Sequence, residues 1–268
     1  MKRRFTRRSA ILGGFGAAVA MRGFDRNVSA QSGTPEAEYT PTIDPAQFSA
    51  TIDNPYFPLT PGTTLYYEGE TDGTPQTEEF AVTFETREVM GIQCVVVRDV
   101  VSEDGEVVED TLDWFAQDAE GNVWYFGEES KDIEDGEVVS TEGSWEAGVD
   151  GALPGIVMPA SPQVGDSYRQ EYYAGEAEDM AEVIAIDETV SVPNGEYTEV
   201  LVTKDTNPLE PEIVEHKYYA KVVGMVFEEL IEGGEERMEL VRVEQEEEDA
   251  SPEVDDETSP EAEDEDDY

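Results

Sequence analysis

The residue types that carry most enzyme chemistry are scarce in this chain, and the one type in excess is acidic. Its 268 residues hold one histidine, His216, and one cysteine, Cys94, against 65 Asp and Glu. A Ser–His or Cys–His nucleophile needs a base within hydrogen-bond reach. In "EIVEHKYYA" the single imidazole alternates with Val214 and Tyr218 on one strand face, while Glu215, Lys217 and Tyr219 take the other. That is the setting of a hydrogen-bonded structural histidine. Zinc sites of the common kinds need several His or Cys and are excluded on the same count. Cys94 lies in the apolar run "IQCVVVRDVV", where a thiol behaves as a small hydrophobe.

Carboxylates are what remains. General acid/base hydrolysis uses a pair of them, and Asp110 with Asp113, Glu146 with Asp150, and Glu171 with Glu176 are near enough in sequence to qualify. In so acidic a chain such pairs also arise from composition alone. Calcium takes roughly six to eight oxygens, and the turns "DAEGN" (118–122) and "GEAED" (175–179) offer Asp118, Glu120, Glu176 and Asp179, without EF-hand spacing. No cofactor is expected, with calcium the one left open. No glycine-rich strand-to-helix turn with a Lys is present to cradle phosphate.

The aromatic residues form the other candidate set. Doublets such as Tyr172-Tyr173 and Tyr218-Tyr219 put one ring on each face of a strand. Core packing takes one ring of each, and the outward ring needs a covering element or a ligand. Trp124, Trp145, Tyr172 and Tyr218, with Met158 and His216, are therefore the expected ligand contacts.

These side chains must be positioned by strands. Period-two alternation rich in Val, Tyr, Phe and Trp runs through "TLYYEGE", "EEFAVTFETREV", "IQCVVVRDVV", "EVVEDTLDWFAQ" and "NVWYFGEE", and resumes from "DSYRQEYYAG" to "ERMELVRVE". Turn signals such as Asp104-Gly105 and Asn194-Gly195 separate the strands. The pattern predicts an all-β protein of two sequential antiparallel meanders (63–142 and 166–243), forming one strongly curved sheet or two packed sheets in a single domain, 48–243. "YYEG" at 66–69 recurs as "YYAG" at 172–175, and "DWFAQDAEGNVWYF" from Asp113 is echoed by "KYYAKVVGMVFEE" from Lys217, which suggests a duplicated unit. Between the halves lies "GSWEAGVDGALPGIVMPASPQVG" (143–165), too long for a plain connection and too apolar for a solvated one. An ordered Ω-like cover over the sheet, anchored by Trp145, is expected there.

The formal net charge is -49. Residues 31–243 alone carry 49 acidic and 9 basic side chains, which argues against nucleic acid and anionic membranes as partners. A saline habitat or cation binding accounts for the excess. "MKRRFTRRSAILGGFGAAVAMRGFDRNVSA" reads as a signal peptide (1–30) of the twin-arginine type, with Arg7-Arg8 ahead of a glycine-rich apolar stretch too short to span a bilayer. No transmembrane anchor is expected. Residues 31–47 read as a flexible leader, and 244–268, with fifteen acidic and no basic residues, as a disordered tail.

"WYFGEE" (124–129), "GSWEAGVDGALPGIVMP" (143–159), "GDSYRQEYYAGEAED" (165–179) and "EHKYYA" (215–220) resemble a family of exported, largely bacterial proteins, over about Phe48 to Val243. The resemblance brings no activity, cofactor or catalytic residue. Relatives continue "EHKYYA" with a Pro-Gly turn where this chain has Lys221-Val222. The fold it implies, by analogy, is the curved antiparallel sheet of lipoprotein-carrier-like proteins. Together these readings describe an exported (periplasmic or extracellular), soluble, monomeric binding protein without enzymatic activity. Its expected ligand is small and apolar or amphiphilic, with 143–165 as cover; the alternatives are a cation-binding surface protein and a carboxylate-dependent hydrolase.

Overall fold

The computed structural model of the protein describes residues 39–247. The expected signal peptide, the start of the leader and the tail from residue 248 lie outside them. The described chain is antiparallel β almost throughout, without an α-helix; its one helical turn is the 3-10 segment Pro45–Gln47. In chain order the strands are β1 Phe48–Ser49, β2 Thr63–Thr71, β3 Thr74–Val89, β4 Ile92–Glu103, β5 Glu106–Asp118, β6 Val123–Glu129, β7 Asp132–Glu134, β8 Glu137–Ser140, β9 Trp145–Glu146 and β10 Leu153–Met158. They continue as β11 Ser167–Arg169, β12 Glu171–Tyr172, β13 Met180–Val192, β14 Gly195–Thr206, β15 Val214–Ala220, β16 Gly224–Glu232 and β17 Glu236–Gln245. Asp-Gly pairs at 72–73, 104–105 and 135–136 turn three hairpins with both residues at positive φ, the geometry that matches strand twist.

The two meanders form one sheet. β2 to β6 pair in succession, β13 to β17 do the same, and β17 returns to β2 along Glu236–Gln245. On the far side β6 pairs β10, β10 pairs β12, and β11, one residue before β12, pairs β13. The sheet thus curls into a nearly closed barrel. One of the two echoes falls on matching places in it, hairpin β5–β6 corresponding to β15–β16; the other does not, since "YYEG" lies within β2 whereas "YYAG" leaves β12 after Tyr172 and turns.

The segment 143–165 departs from the expected cover. Leu153–Met158 is a strand of the sheet, with Gly155, Ile156 and Met158 opposite Tyr125, Trp124 and Val123. It joins the two halves instead of lying over them. Its glycines and prolines read as a loop because nothing local in them requires pairing; the free edge of β6 supplies the partner. Gly155 is needed for a close approach, since a Cβ there would sit 2.3 Å from the Gln170 carbonyl carbon. Residues 147–152 and 159–165 lie outside the ladder, and Gly148 rests on the Met90 side chain. The end of the leader is also held: Tyr39 packs edge-on against Tyr172 and donates to the Pro154 carbonyl at 2.9 Å, since a buried aromatic contact and a satisfied hydroxyl outweigh chain freedom. The final strand runs through Glu244 and Gln245, two residues into the expected tail.

The inward face changes character along the barrel. On β3 Gln76 and Glu78 are followed by Phe80 and Val82; on β4 Asp99 follows Val95 and Val97; on β5 Glu109, Thr111 and Asp113 precede Phe115, and all are buried. One end is therefore apolar, filled by residues such as Tyr67, Phe115, Leu201 and Tyr219, and closed by residues 50–59, from which Phe57 packs on Phe80, Phe115 and Tyr219. Each such side chain contributes roughly 1.5–3 kcal/mol. The other end is acidic.

Candidate functional site

Nine acidic side chains are buried among the described residues (Glu78, Asp99, Glu109, Asp113, Glu128, Glu171, Asp205, Glu215 and Glu228), and Lys217 is the one buried lysine or arginine beside them. Burying an unpaired charge costs several kcal/mol. An interior so composed holds its acids as neutral carboxyls, or pairs them with cations.

Each side chain is placed by strand register. Asp113 on β5 faces Glu128 on β6, and the Tyr125 hydroxyl donates to Asp113 Oδ1 at 2.6 Å. Thr111 Oγ1 donates to Glu109 Oε1 at 3.0 Å. Trp145, 5% exposed, stands edge-on to Tyr125 and donates from Nε1 to Glu171 Oε2 at 3.0 Å. Asp179 lies against Glu171, carboxyl to carboxyl. On β15, Lys217 faces Thr203 of β14 and Glu228 of β16, and its ammonium lies 3.6, 3.8 and 3.9 Å from Glu215, Asp205 and Glu228.

Desolvation sets the protonation. Burial pushes Asp113 and Asp179 up to about 7, and Glu128 and Glu171 well above the ordinary carboxylate range, with like charges adding to the rise in both glutamates. Burial also raises Asp205 and Glu228, against the pull of Lys217. For Lys217 itself burial disfavours the charge, but Glu228, Glu215 and Asp205 outweigh it and hold the ammonium well above its usual value.

Where these groups meet, a cavity of about 20 Å³ opens under the 207–213 connection, lined by Gln170, Glu171, Asp179, Asp205, Asn207 and Lys217 among others. Gln170 Nε2 donates to Asp205 Oδ2 at 3.2 Å, and Asn207 Oδ1 accepts from the Leu209 N–H at 2.8 Å. Asp205 Oδ1 and Asn207 Nδ2 are buried without a hydrogen-bond partner.

The residues singled out from sequence divide between two faces. Trp145 and Met158 are buried in the core, Trp145 at the edge of the acidic cluster. Trp124, Tyr172, His216 and Tyr218 are half-buried on other surfaces. Their rings already have covers: Phe48 stands edge-on to Trp124, Arg169 lies 4.8 Å over Tyr172, and Phe227 packs at 4.9 Å on Tyr218, whose hydroxyl donates to Glu229. Arg87 over Trp114, Arg237 over Phe227 and Arg242 over Tyr66 extend the pattern, so four of the five arginines among the described residues lie on aromatic faces. His216 pairs across to Lys204 and Glu229.

The carboxylate candidates separate likewise. Asp118 accepts from Glu120 N, Asn122 N, Asn122 Nδ2 and Trp124 Nε1, donors that hold the turn and draw its carboxyl below the ordinary value despite desolvation. Glu120 and Glu176 are exposed, and Asp179 alone of the turn set joins the interior. Asp110 faces outward in a bidentate pair with Arg98 while Asp113 faces inward, as an odd spacing on a strand requires. Glu146 pairs with Arg87, away from the exposed Asp150. Glu171 meets Asp179, not Glu176. Among the described residues no group of three or more His, Cys, Asp or Glu is arranged to hold a metal ion, and no helix is long and apolar enough to cross a membrane. Sequence reasoning passed over Gln170, Asp205 and Asn207. The available signal was strand parity: Asp205 shares the face of Leu201 and Thr203.

No protein-family model and no curated protein matches the chain. Among solved structures, a protein from Bacteroides fragilis assigned as exported and of YmcC-like fold is similar over 72% of this chain and 100% of its own, at 16% identity and a TM-score of 0.42. One from Parabacteroides distasonis assigned as a lipoprotein is similar over 71% and 99%, at 13% identity and a TM-score of 0.41.

Proposed function

We propose that the protein is an exported, soluble binding protein of the family its motifs resemble, and that its ligand is a cation taken at the acidic end of the barrel. The carrying observation is the charge balance of that end: among its nine buried acids, Glu171, Asp205 and Glu215 line one cavity together with the buried Lys217, and Asp205 Oδ1 has no hydrogen-bond partner there. A cation there converts desolvated like charges into a paired cluster. An apolar ligand fits less well, because the apolar end is packed and its cavity, between Phe57, Leu65, Phe80 and Met225, has about 10 Å³.

Titration calorimetry and thermal melting of the exported chain, with inorganic and organic cations at matched ionic strength, test this reading. At least one cation is expected to raise the melting temperature saturably beyond the sodium chloride control, and Asp205→Asn to weaken it. If no cation exceeds the salt control, or if the protein retains an apolar molecule in native mass spectrometry, the reading fails.

A further inference from the structure

We infer that the acidic cavity is a seat for a primary ammonium group, carried by a small amine with a hydroxyl on the neighbouring carbon. This rests on the cation reading above and narrows it. Three observations point the same way. The cavity, at about 20 Å³, matches one water-sized group, and –NH₃⁺ is the cation of that size that brings its own donors. The open valences suit it: Asp205 Oδ1 is a buried acceptor without a hydrogen bond of good geometry, the Thr203 hydroxyl being its one neighbouring donor, and it lies beside Glu171 and Asp179, whereas a bare metal ion would need a converging oxygen shell that no acidic group among the described residues forms. The barrel already holds an ammonium by the same means, since Lys217 Nζ stands 3.6–3.9 Å from Glu215, Asp205 and Glu228. Asp205 therefore stands between a resident ammonium and an adjoining space of the same size and sign preference.

Asn207 sets the second feature of the ligand. Its Oδ1 is fixed by the Leu209 N–H, which leaves Nδ2 buried, 2% exposed with its residue, and short of an acceptor at the cavity wall. A donor next to an ammonium seat asks for an uncharged oxygen close to the amine nitrogen. A carboxylate at that place would meet Glu171, Asp179 and Asp205, so an alcohol oxygen is the acceptor the surroundings accept.

Calorimetry on the full exported chain, at matched ionic strength and constant pH, compares ethanolamine, ethylamine, tetramethylammonium and calcium. Ethanolamine is expected to bind best, ethylamine about tenfold more weakly for the lost hydrogen bond to Asn207, and tetramethylammonium not at all, having no N–H donor. Asn207→Ala should bring ethanolamine down to the affinity of ethylamine, and Asp205→Asn should weaken both about tenfold or more. The wild-type ligand series does not depend on either variant folding. Tetramethylammonium binding as well as ethylamine would overturn the ammonium seat. Calcium binding without either amine would overturn it too while leaving the cation reading intact, and binding of none of the four overturns both. Equal affinities of ethanolamine and ethylamine overturn the hydroxyl assignment.

Discussion

Hairpins β5–β6 and β15–β16 are built alike and differ at one interior position. Asp113-Trp114-Phe115-Ala116 in the first matches Lys217-Tyr218-Tyr219-Ala220 in the second. In both, the first residue points inward opposite a glutamate, Glu128 or Glu228. In both, the second ring points outward under a cover, Arg87 on Trp114 and Phe227 on Tyr218, and the third is buried in the apolar end. The sign of one side chain then decides the state of the cluster around it. Lys217 stands within ion-pair reach of three carboxylates and opposes the rise that burial gives Asp205 and Glu228, whereas Asp113 adds a like charge to Glu128, and nothing cationic among the described residues offsets the desolvation that raises both. The same strand pattern thus supplies a structural ion cluster on one side of the barrel and a proton-loaded acid pair on the other.

The sharpest way to break this contrast is to remove the lysine. Lys217→Met leaves Asp205, Glu215 and Glu228 buried without their cation and should cost about 3–5 kcal/mol near pH 8. The loss should shrink toward pH 5, where those acids take up protons. A denaturant midpoint lowered equally at both pH values would show that Lys217 acts through packing.

The wild-type pH dependence comes next. Asp113 and Asp179 have folded-state values of about 7 against 3.8 in the unfolded chain. Below pH 4 both states are protonated and neither group affects stability. Between about 4 and 7 the unfolded chain releases protons that the folded chain keeps, so stability falls as pH rises, by about 4 kcal/mol for each of the two groups, whose contributions level off above. Chemical denaturation from pH 4.5 to 8.5 at high salt, which screens the surface charge, checks the direction. Asp113→Asn keeps an acceptor for the Tyr125 hydroxyl and removes the ionisation, and should add about 1–3 kcal/mol at pH 8 while flattening that slope.

The smallest effect concerns the turns. Hairpin β5–β6 turns through Gly121 at φ +96°, whereas β15–β16 turns through Val222 at φ +72°, 82% exposed, its N–H bonded to the Pro55 carbonyl of the apolar closure. A β-branched residue is strained there, and a glycine would not be. Val222→Gly should add about 1 kcal/mol or less, read as a small rise in melting temperature with ligand binding unchanged.

Much of this architecture is legible in the sequence because it depends on local rules. Period-two alternation marks nearly all the long strands, Asp-Gly pairs mark their turns, and the echo from Asp113 to Lys217 marks matching hairpins. The charge excess is likewise read from composition alone. What the sequence leaves open is everything fixed by contact between distant strands. Leu153–Met158 is a strand because β6 offers a free edge, and outward aromatics such as Trp124 and Trp114 are covered because Phe48 and Arg87 arrive from elsewhere in the chain. The cavity gathers Gln170, Glu171 and Asp179 from around β11–β13 with Asp205, Asn207 and Lys217 from β14–β15. Neighbours in sequence such as Asp110 and Asp113 point to opposite faces, while Glu171 and Asp205, 34 positions apart, line one wall. Sequence alone fixed strand parity, turns and net charge, since these follow from the pleat, the permitted φ and the composition; only barrel closure decided which inward carboxylates share one desolvated space.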